Sequence, residues 1–205
     1  TGDPTFCGAI QRDAAGTIWL GNPATLQNSV DARSTNIGFL STEGVDVELN
    51  YTFEAGNMGT VNIANVTGFV SEFEQQEYPG AASIRCDGIY GGPCQLPTPE
   101  LANRMQATWI TPWDITTSFI WRYTKGTQQA ASAAPLDIDD MSYFDISANW
   151  AVNDWAQVRF GINNLFDERP PRVYQGATDF ENGNTYPGFY DPLGQYLFAG
   201  FTLQY

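Results

Sequence analysis

From Val45 onward, apolar and polar residues alternate with a period of two. Val45, Val47, Leu49, Tyr51 and Phe53 fall on one parity, and Asp46, Glu48, Asn50, Thr52 and Glu54 on the other. Successive side chains of a strand point to opposite faces, so this segment predicts a strand with one greasy and one strongly polar face. The pattern recurs. Ile115, Thr117, Phe119, Trp121 and Tyr123 alternate with Asp114, Thr116, Ser118, Ile120 and Arg122. Phe144, Ile146, Ala148 and Trp150 share a face, as do Ala156, Val158, Phe160 and Ile162, and then Leu197, Ala199, Phe201, Leu203 and Tyr205. Two further strands read less cleanly: Met105–Trp109, and Thr60–Phe73, whose apolar face is interrupted by Asn65 and Thr67. A stretch from Ser34 feeds the strand at Val45, with Gly44 expected as a bulge. The segment before it reads as loop, with a short hairpin near Ile18–Leu20.

The connections alternate in length. Glu54–Gly59, Thr111–Trp113 and Ala151–Asp154 are short turns, whereas 75–102, 125–141 and 166–194 are long loops. In an up-and-down antiparallel sheet every second connection lies at the same end. Short turns at one end and long loops at the other is the layout of outer-membrane barrels, with the long loops extracellular. Trp109, Trp113, Tyr123, Trp150, Trp155 and Tyr205 sit near strand ends, where rings with one polar edge form an interfacial girdle. A soluble β-sandwich also has one apolar face per strand, so alternation by itself leaves both architectures open.

Composition sharpens the choice. Charged residues are 16% of the chain, against roughly 25% in ordinary soluble domains. Aromatics reach 14%, Gly and Pro number 20 and 12, and Lys125 is the one lysine. That balance opposes a helix bundle and suits a turn-rich β protein. The polar faces carry Asp, Glu, Arg, Asn, Gln and Ser, as a hydrated lumen would. A net charge of −14 repels phosphate backbones and excludes nucleic acid as a partner. With no histidine, the usual zinc and histidine-dependent catalytic constellations are missing, and neither metal nor cofactor is expected. No apolar run reaches the length of a membrane helix. No signal peptide is visible and the chain begins at Thr1, as a processed protein or an excised piece would.

Individual residues add little chemistry. Cys86 and Cys94 bracket a Gly/Pro-rich stretch and either close a disulfide in an oxidising compartment or remain two free thiols. Cys7 is left over, with its partner expected outside this chain. Asp137, Asp139 and Asp140 lack the Gly and downstream Glu of an EF-hand loop and read as a solvated face. Asp46 and Glu48 resemble a glycosidase pair only superficially, since they lie on a uniformly polar face. Arg169 and Arg172 flank Pro170-Pro171, where they either meet lipopolysaccharide phosphates or are simply loop residues. The expectation is that the chain is not an enzyme.

Several segments resemble the C-terminal part of the β-barrel of a TonB-dependent outer-membrane receptor. Asn36, then Thr42-Glu43-Gly44-Val45-Asp46-Val47-Glu48-Leu49, is similar to the stretch leading into a long descending strand of that family. Phe160-Gly161-Ile162-Asn163-Asn164-Leu165-Phe166-Asp167 and Pro170-Pro171 resemble its penultimate strand and following loop. Tyr186-Pro187-Gly188-Phe189-Tyr190-Asp191-Pro192-Leu193-Gly194-Gln195-Tyr196 resembles the approach to its last strand, with Gln195 where the family often has Arg. The terminal Gly200-Phe201-Thr202-Leu203-Gln204-Tyr205 resembles the β-signal read by the barrel-assembly machinery, carried by Gly200, Phe201, Leu203 and Tyr205. Cys86 through Cys94, and Cys7 before Ile10-Gln11-Arg12, resemble the cysteine-bearing loops of proteobacterial receptors.

The resemblance implies an all-β fold: an antiparallel up-and-down transmembrane segment, seven to eight strands of a barrel of about 22, closed by a plug. Residues 1–33 would be mostly extracellular loop and 34–205 strands with long loops, while nothing in the chain resembles the plug. An odd strand count and the leftover Cys7 fit the last third of such a barrel. It further implies the bacterial outer membrane, contact with its lipid and lipopolysaccharide, and TonB–ExbB–ExbD acting through a segment not present here. A small-molecule nutrient would be taken up, a ferric siderophore, an oligosaccharide or another scarce compound. Tyr90, Tyr174, Phe180, Tyr186 and Tyr190 lie in the long loops and are the candidates to stack on it, against the alternative of packing within the loops. Two rival readings stay open: a small stand-alone outer-membrane barrel, and a secreted glycan-binding β-sandwich whose apolar faces would meet a second layer.

Overall fold

The computed structural model describes residues 4–18, 28–33, 38–130, 136–173 and 184–204. The hairpin expected near Ile18–Leu20 falls largely outside them, as do Ser34, Asn36, Tyr174, Phe180 and Tyr205. The chain divides into two compact units. The first joins Thr1–Leu40 to Gln75–Ile84. It holds a single helical turn, α1 (Pro4–Cys7), a bridge between Ile10 and Val30, and an edge-on contact of Phe6 with Tyr78 at 4.8 Å. Cys7 is exposed and free there.

The second unit, Ser41–Glu74 with Arg85–Tyr205, carries most of the sheet. Its long strands are β1 (Phe39–Glu54), β2 (Thr60–Gln76), β5 (Leu101–Ile110), β6 (Ile115–Thr124), β8 (Met141–Asn153), β9 (Ala156–Asn163) and β10 (Tyr196–Leu203). Three two-residue pieces, β3 (Ile84–Arg85), β4 (Ile89–Tyr90) and β7 (Gln128–Gln129), lie in the long loops. The sheet has eight strands in the order β1-β2-β5-β6-β8-β9-β10, with β3 beside β2. Each long strand therefore neighbours the next in sequence, the meander expected from the alternating turns. β1 and β10 are its two edges, and the sheet is not closed on itself.

Antiparallel register puts like faces together. Phe119 lies opposite Ala107 and Ile146, Ile146 opposite Ile162, and Ile162 opposite Leu197. On the other face Ser118 lies opposite Thr108 and Ser147. One largely apolar face, interrupted where Asn65, Thr67 and Asn103 meet, and one largely polar face result. Among the described residues no second layer covers the apolar face: Val45 is 62%, Phe160 52% and Phe201 77% exposed. Among the described residues the buried apolar side chains are confined to the long loops and the first residues of β8. Soluble monomers rarely leave contiguous apolar patches larger than a few hundred Å² uncovered. A sandwich would have hidden this face.

The less regular strands have a physical reason. β5 begins four residues before the segment that alternation predicts, because Asn103 sits on the apolar face. Its amide donates to Asn65 Oδ1 at 2.7 Å and to Thr67 Oγ1 at 2.6 Å, so three polar side chains on neighbouring strands bond to one another there, while Asn103 Oδ1 accepts no bond among the described residues. Gly44, expected as a bulge, lies inside β1, where the Phe69 carbonyl occupies the space that a Cβ would need. A register shift does occur between Ala151 and Asn153, beside a short turn. The other short turns are tied locally: Thr111 donates through both its amide and its hydroxyl to Ile115 O.

Candidate functional site

Residues 85–102 of the first long connection and the described parts of the second and third pack on one another at one end of the sheet. In the first, Cys86 and Cys94 are joined by a disulfide with their Cα atoms 5.4 Å apart, within the span that such a bond requires. The Arg85 guanidinium chelates Asp87 at 2.9 and 3.0 Å and holds its carboxyl below the usual range. Backbone bonds from Gly88 to Thr98 and from Gln128 to Gly88 then set β4 alongside β7. In the second connection, Thr127 and Ile138 exchange backbone bonds, so the segment turns back on itself. Asp140 accepts from the Gly126 amide and the Tyr123 hydroxyl, and these bonds lower its pKa. In the third, Asn164 caps its own turn through two bonds with Glu168, and the Val173 amide donates to Asn184 O.

These loops share a core made of Tyr90, Ile138, Met141, Tyr143, Val173, Tyr186 and Tyr190. Tyr90 meets Tyr186 edge-on at 5.9 Å, and its hydroxyl donates to Leu136 O. Burial pushes the Tyr190 phenol up to about 12. Three of the tyrosines proposed as ligand contacts thus stand in the interior of the loop cluster, joining one loop to another. The remaining two, Tyr174 and Phe180, are outside the described residues.

Asp191 of the third loop meets the polar face of the sheet. Arg122 of β6 and Asp145 of β8 both belong to the polar face, and the guanidinium donates to both carboxylate oxygens at 3.0 and 3.1 Å. Its Nη2 also reaches Asp191 in the loop at 2.7 Å. The Asp191 amide donates to the Tyr143 hydroxyl at 3.3 Å, and Arg122 lies 5.0 Å from the Tyr143 ring centroid. Asp145 accepts a further bond from the Asn164 amide, so one carboxylate orients both the arginine and the start of the loop. Sequence reasoning did not single out Arg122, Asp145 or Asp191. Only the parity of Arg122 and Asp145 on adjacent polar faces signals the first contact.

At the opposite end Trp109 meets Trp113 edge-on at 6.3 Å, and its indole donates to Met58 O at 2.7 Å. Trp113 and Trp155 are more than half exposed. Gly200, Phe201 and Leu203 lie on β10, with Phe201 and Leu203 on the apolar face, while Tyr205 falls outside the described residues. Among the described residues no group of three His, Cys, Asp or Glu is gathered as a metal would need.

No protein-family model matches the chain, and no curated protein matches it in sequence. Among solved structures it is similar to a ferric enterobactin receptor from Pseudomonas aeruginosa, a mutant in complex with enterobactin. The TM-score is 0.50 at 13% identity, over 79% of this chain and 22% of the receptor. At that identity the likeness concerns the fold, and the chain spans under a quarter of the receptor's length.

Proposed function

We propose that this chain forms part of the wall and the extracellular mouth of a TonB-dependent receptor in the bacterial outer membrane, which takes up a small nutrient such as a ferric siderophore. The observation that carries the reading is a largely apolar face opposite a polar one, the apolar face left exposed among the described residues. Hydrocarbon covers the first at no desolvation cost, and a water-filled interior suits the second. The unpaired edges of β1 and β10 support a larger barrel, because lipid does not tolerate open sheet edges. The fold shared with a siderophore receptor points the same way. Lipid and lipopolysaccharide surround the apolar face, with the exposed tryptophans at the short-turn end in the interfacial belt. The barrel-assembly machinery would read the terminal strand, and TonB–ExbB–ExbD would act through the plug. No step requires covalent chemistry, so the chain acts as a receptor and not as an enzyme.

The test has two arms. Fractionated cells should hold the protein in the outer membrane, resistant to alkaline carbonate extraction. Deleting its gene should abolish energised uptake of at least one ferric siderophore or oligosaccharide from a panel, as deletion of TonB does. A protein recovered in the aqueous phase without detergent sinks the barrel reading. Uptake that is indifferent to TonB sinks the transport reading.

A further inference from the structure

Arg104 of β5 and Arg122 of β6 lie directly opposite each other on the polar face. Side chains so placed have Cβ atoms about 5 Å apart, where like charges repel. The two arginines are not equally compensated. Arg122 is held by Asp145 and Asp191. Arg104 is exposed, donates to Gln106 Oε1 at 3.2 Å, and makes no ion pair among the described residues. The carboxylates on Arg122 differ as well. Asp145 is 13% exposed, bidentate and also bound to the Asn164 amide. Asp191 is 31% exposed, offers one oxygen and belongs to a loop. Asp145 is the fixed partner and Asp191 the replaceable one.

We infer that Arg104 and Arg122 form an anion-binding site just below the loops, for which a carboxylate-bearing small molecule competes with Asp191 and thereby frees the loop segment 184–191. Two guanidinium forks match carboxylate oxygens in plane and spacing better than lysines would. The chain's overall negative charge does not forbid this, since charges beyond about 8–10 Å are screened at physiological salt and the nearest groups decide. Displacing Asp191 also removes the bond that draws its loop onto the polar wall, so ligand capture and loop release are one exchange of carboxylates. The inference rests on the reading that the polar face borders water inside a barrel.

The experiment uses the full-length protein in detergent micelles, with citrate as the probe and glycerol as the neutral control. Calorimetry should detect citrate binding. R104Q should weaken it at least tenfold, and D191N should tighten it severalfold by removing the competitor. Citrate should also speed amide exchange across 184–191 in the unaltered protein. Absence of citrate binding, an R104Q variant that binds as well as the parent, or a D191N variant that binds no better, each overturns the site. A separate variant, R104C in a C7S background, is treated on intact cells with a membrane-impermeant maleimide. Labelling keeps the water-facing wall and leaves the calorimetry to judge the site alone. Failure to label removes the wall and the site together.

Discussion

Arg122 and Asp191 stand 69 positions apart in the chain and 2.7 Å apart in space, the one on a strand of the sheet and the other in a loop. The pair is about one-third exposed on both sides, so solvent screens it and its worth is about 1 kcal/mol or less. D191N should therefore leave global unfolding nearly unchanged while loosening the third loop. Amide exchange at Phe189 and Tyr190 should quicken severalfold, with exchange in β6 unaltered. D145N should do more, because the one oxygen that an asparagine keeps cannot serve both the Arg122 fork and the Asn164 amide. A local loss of about 2 kcal/mol is expected. Equal effects from the two variants would contradict the asymmetry between them.

The disulfide between Cys86 and Cys94 constrains the first loop rather than the sheet. Closing so short a loop restricts the opened chain by about 2.5 kcal/mol on a chain-entropy account. The double variant C86A/C94A should expose the loop from Arg85 to Gln95 to limited proteolysis while strands β5 to β10 stay protected. Since both sulfurs are buried, the native bond should resist mild reductant until the loop cluster opens. Cleavage spreading into β5 would show that the disulfide supports more than its own loop.

Alkaline pH should open the loop cluster. An ordinary tyrosine ionises near 10, whereas burial raises Tyr190 to about 12. Below pH 10 the phenol is neutral whether the cluster is closed or open, and its contribution is intact. Between 10 and 12 the opened form ionises and the closed form does not, so closure weakens by about 2–3 kcal/mol across that window. Tyrosinate absorbance should rise in two stages, exposed rings first, and Tyr190→Phe should remove part of the late stage. A late stage of unchanged amplitude would assign it to other rings.

A glycine in β9 makes room for an aromatic ring in β10. Gly161 pairs directly with Phe198, and a Cβ built on it would lie 2.6 Å from the ring edge and 2.8 Å from the Ile146 carbonyl. Gly161→Val should cost about 1–3 kcal/mol through overpacking. Gly200→Ala meets the Arg159 side chain, chiefly its Nε at 2.8 Å, which can swing away, and should cost less. Thermal unfolding of the detergent-solubilised protein, followed by gel mobility of the folded form, ranks the two. A reversed ranking would contradict the placement of the Phe198 ring.

How much of this was legible depends on whether a local pattern carried it. β1 is readable outright, since Val45 to Glu54 alternate without a break. β5 is half-readable, because Asn103 breaks the apolar parity for a reason that lies on another strand, at Asn65 and Thr67. The loop core is not readable at all. Tyr90, Ile138, Val173 and Tyr186 come from three segments without periodicity, so nothing in their spacing distinguishes a ring buried among loops from one offered to a ligand. Arg122 and Asp145 become legible once the strand order is known. Asp191 does not, for its contact depends on a loop conformation that the Asn164 turn and the Tyr143 hydroxyl help to fix.

The two faces of the sheet should respond oppositely to the same charge. Phe160 of β9 lies on the apolar face opposite Ala148 and Ala199, and Ser147 of β8 lies on the polar face opposite Ser118 and Gly161. In the proposed barrel, an arginine in place of Phe160 would have to bring its guanidinium into hydrocarbon, at about 2–4 kcal/mol near the bilayer middle and less towards the interfaces. An arginine in place of Ser147 meets water and a wall already rich in hydrogen-bonding groups, and Asp145 on the same face supplies a carboxylate. F160R should therefore assemble poorly into the outer membrane and unfold at lower denaturant, whereas S147R should assemble normally and shift stability by less than about 1 kcal/mol. Size alone does not explain such a difference, because F160L removes the ring and should behave much like the parent in lipid. If S147R proved the more damaging of the two arginine variants, the hydrocarbon would have to lie on the other side of the sheet.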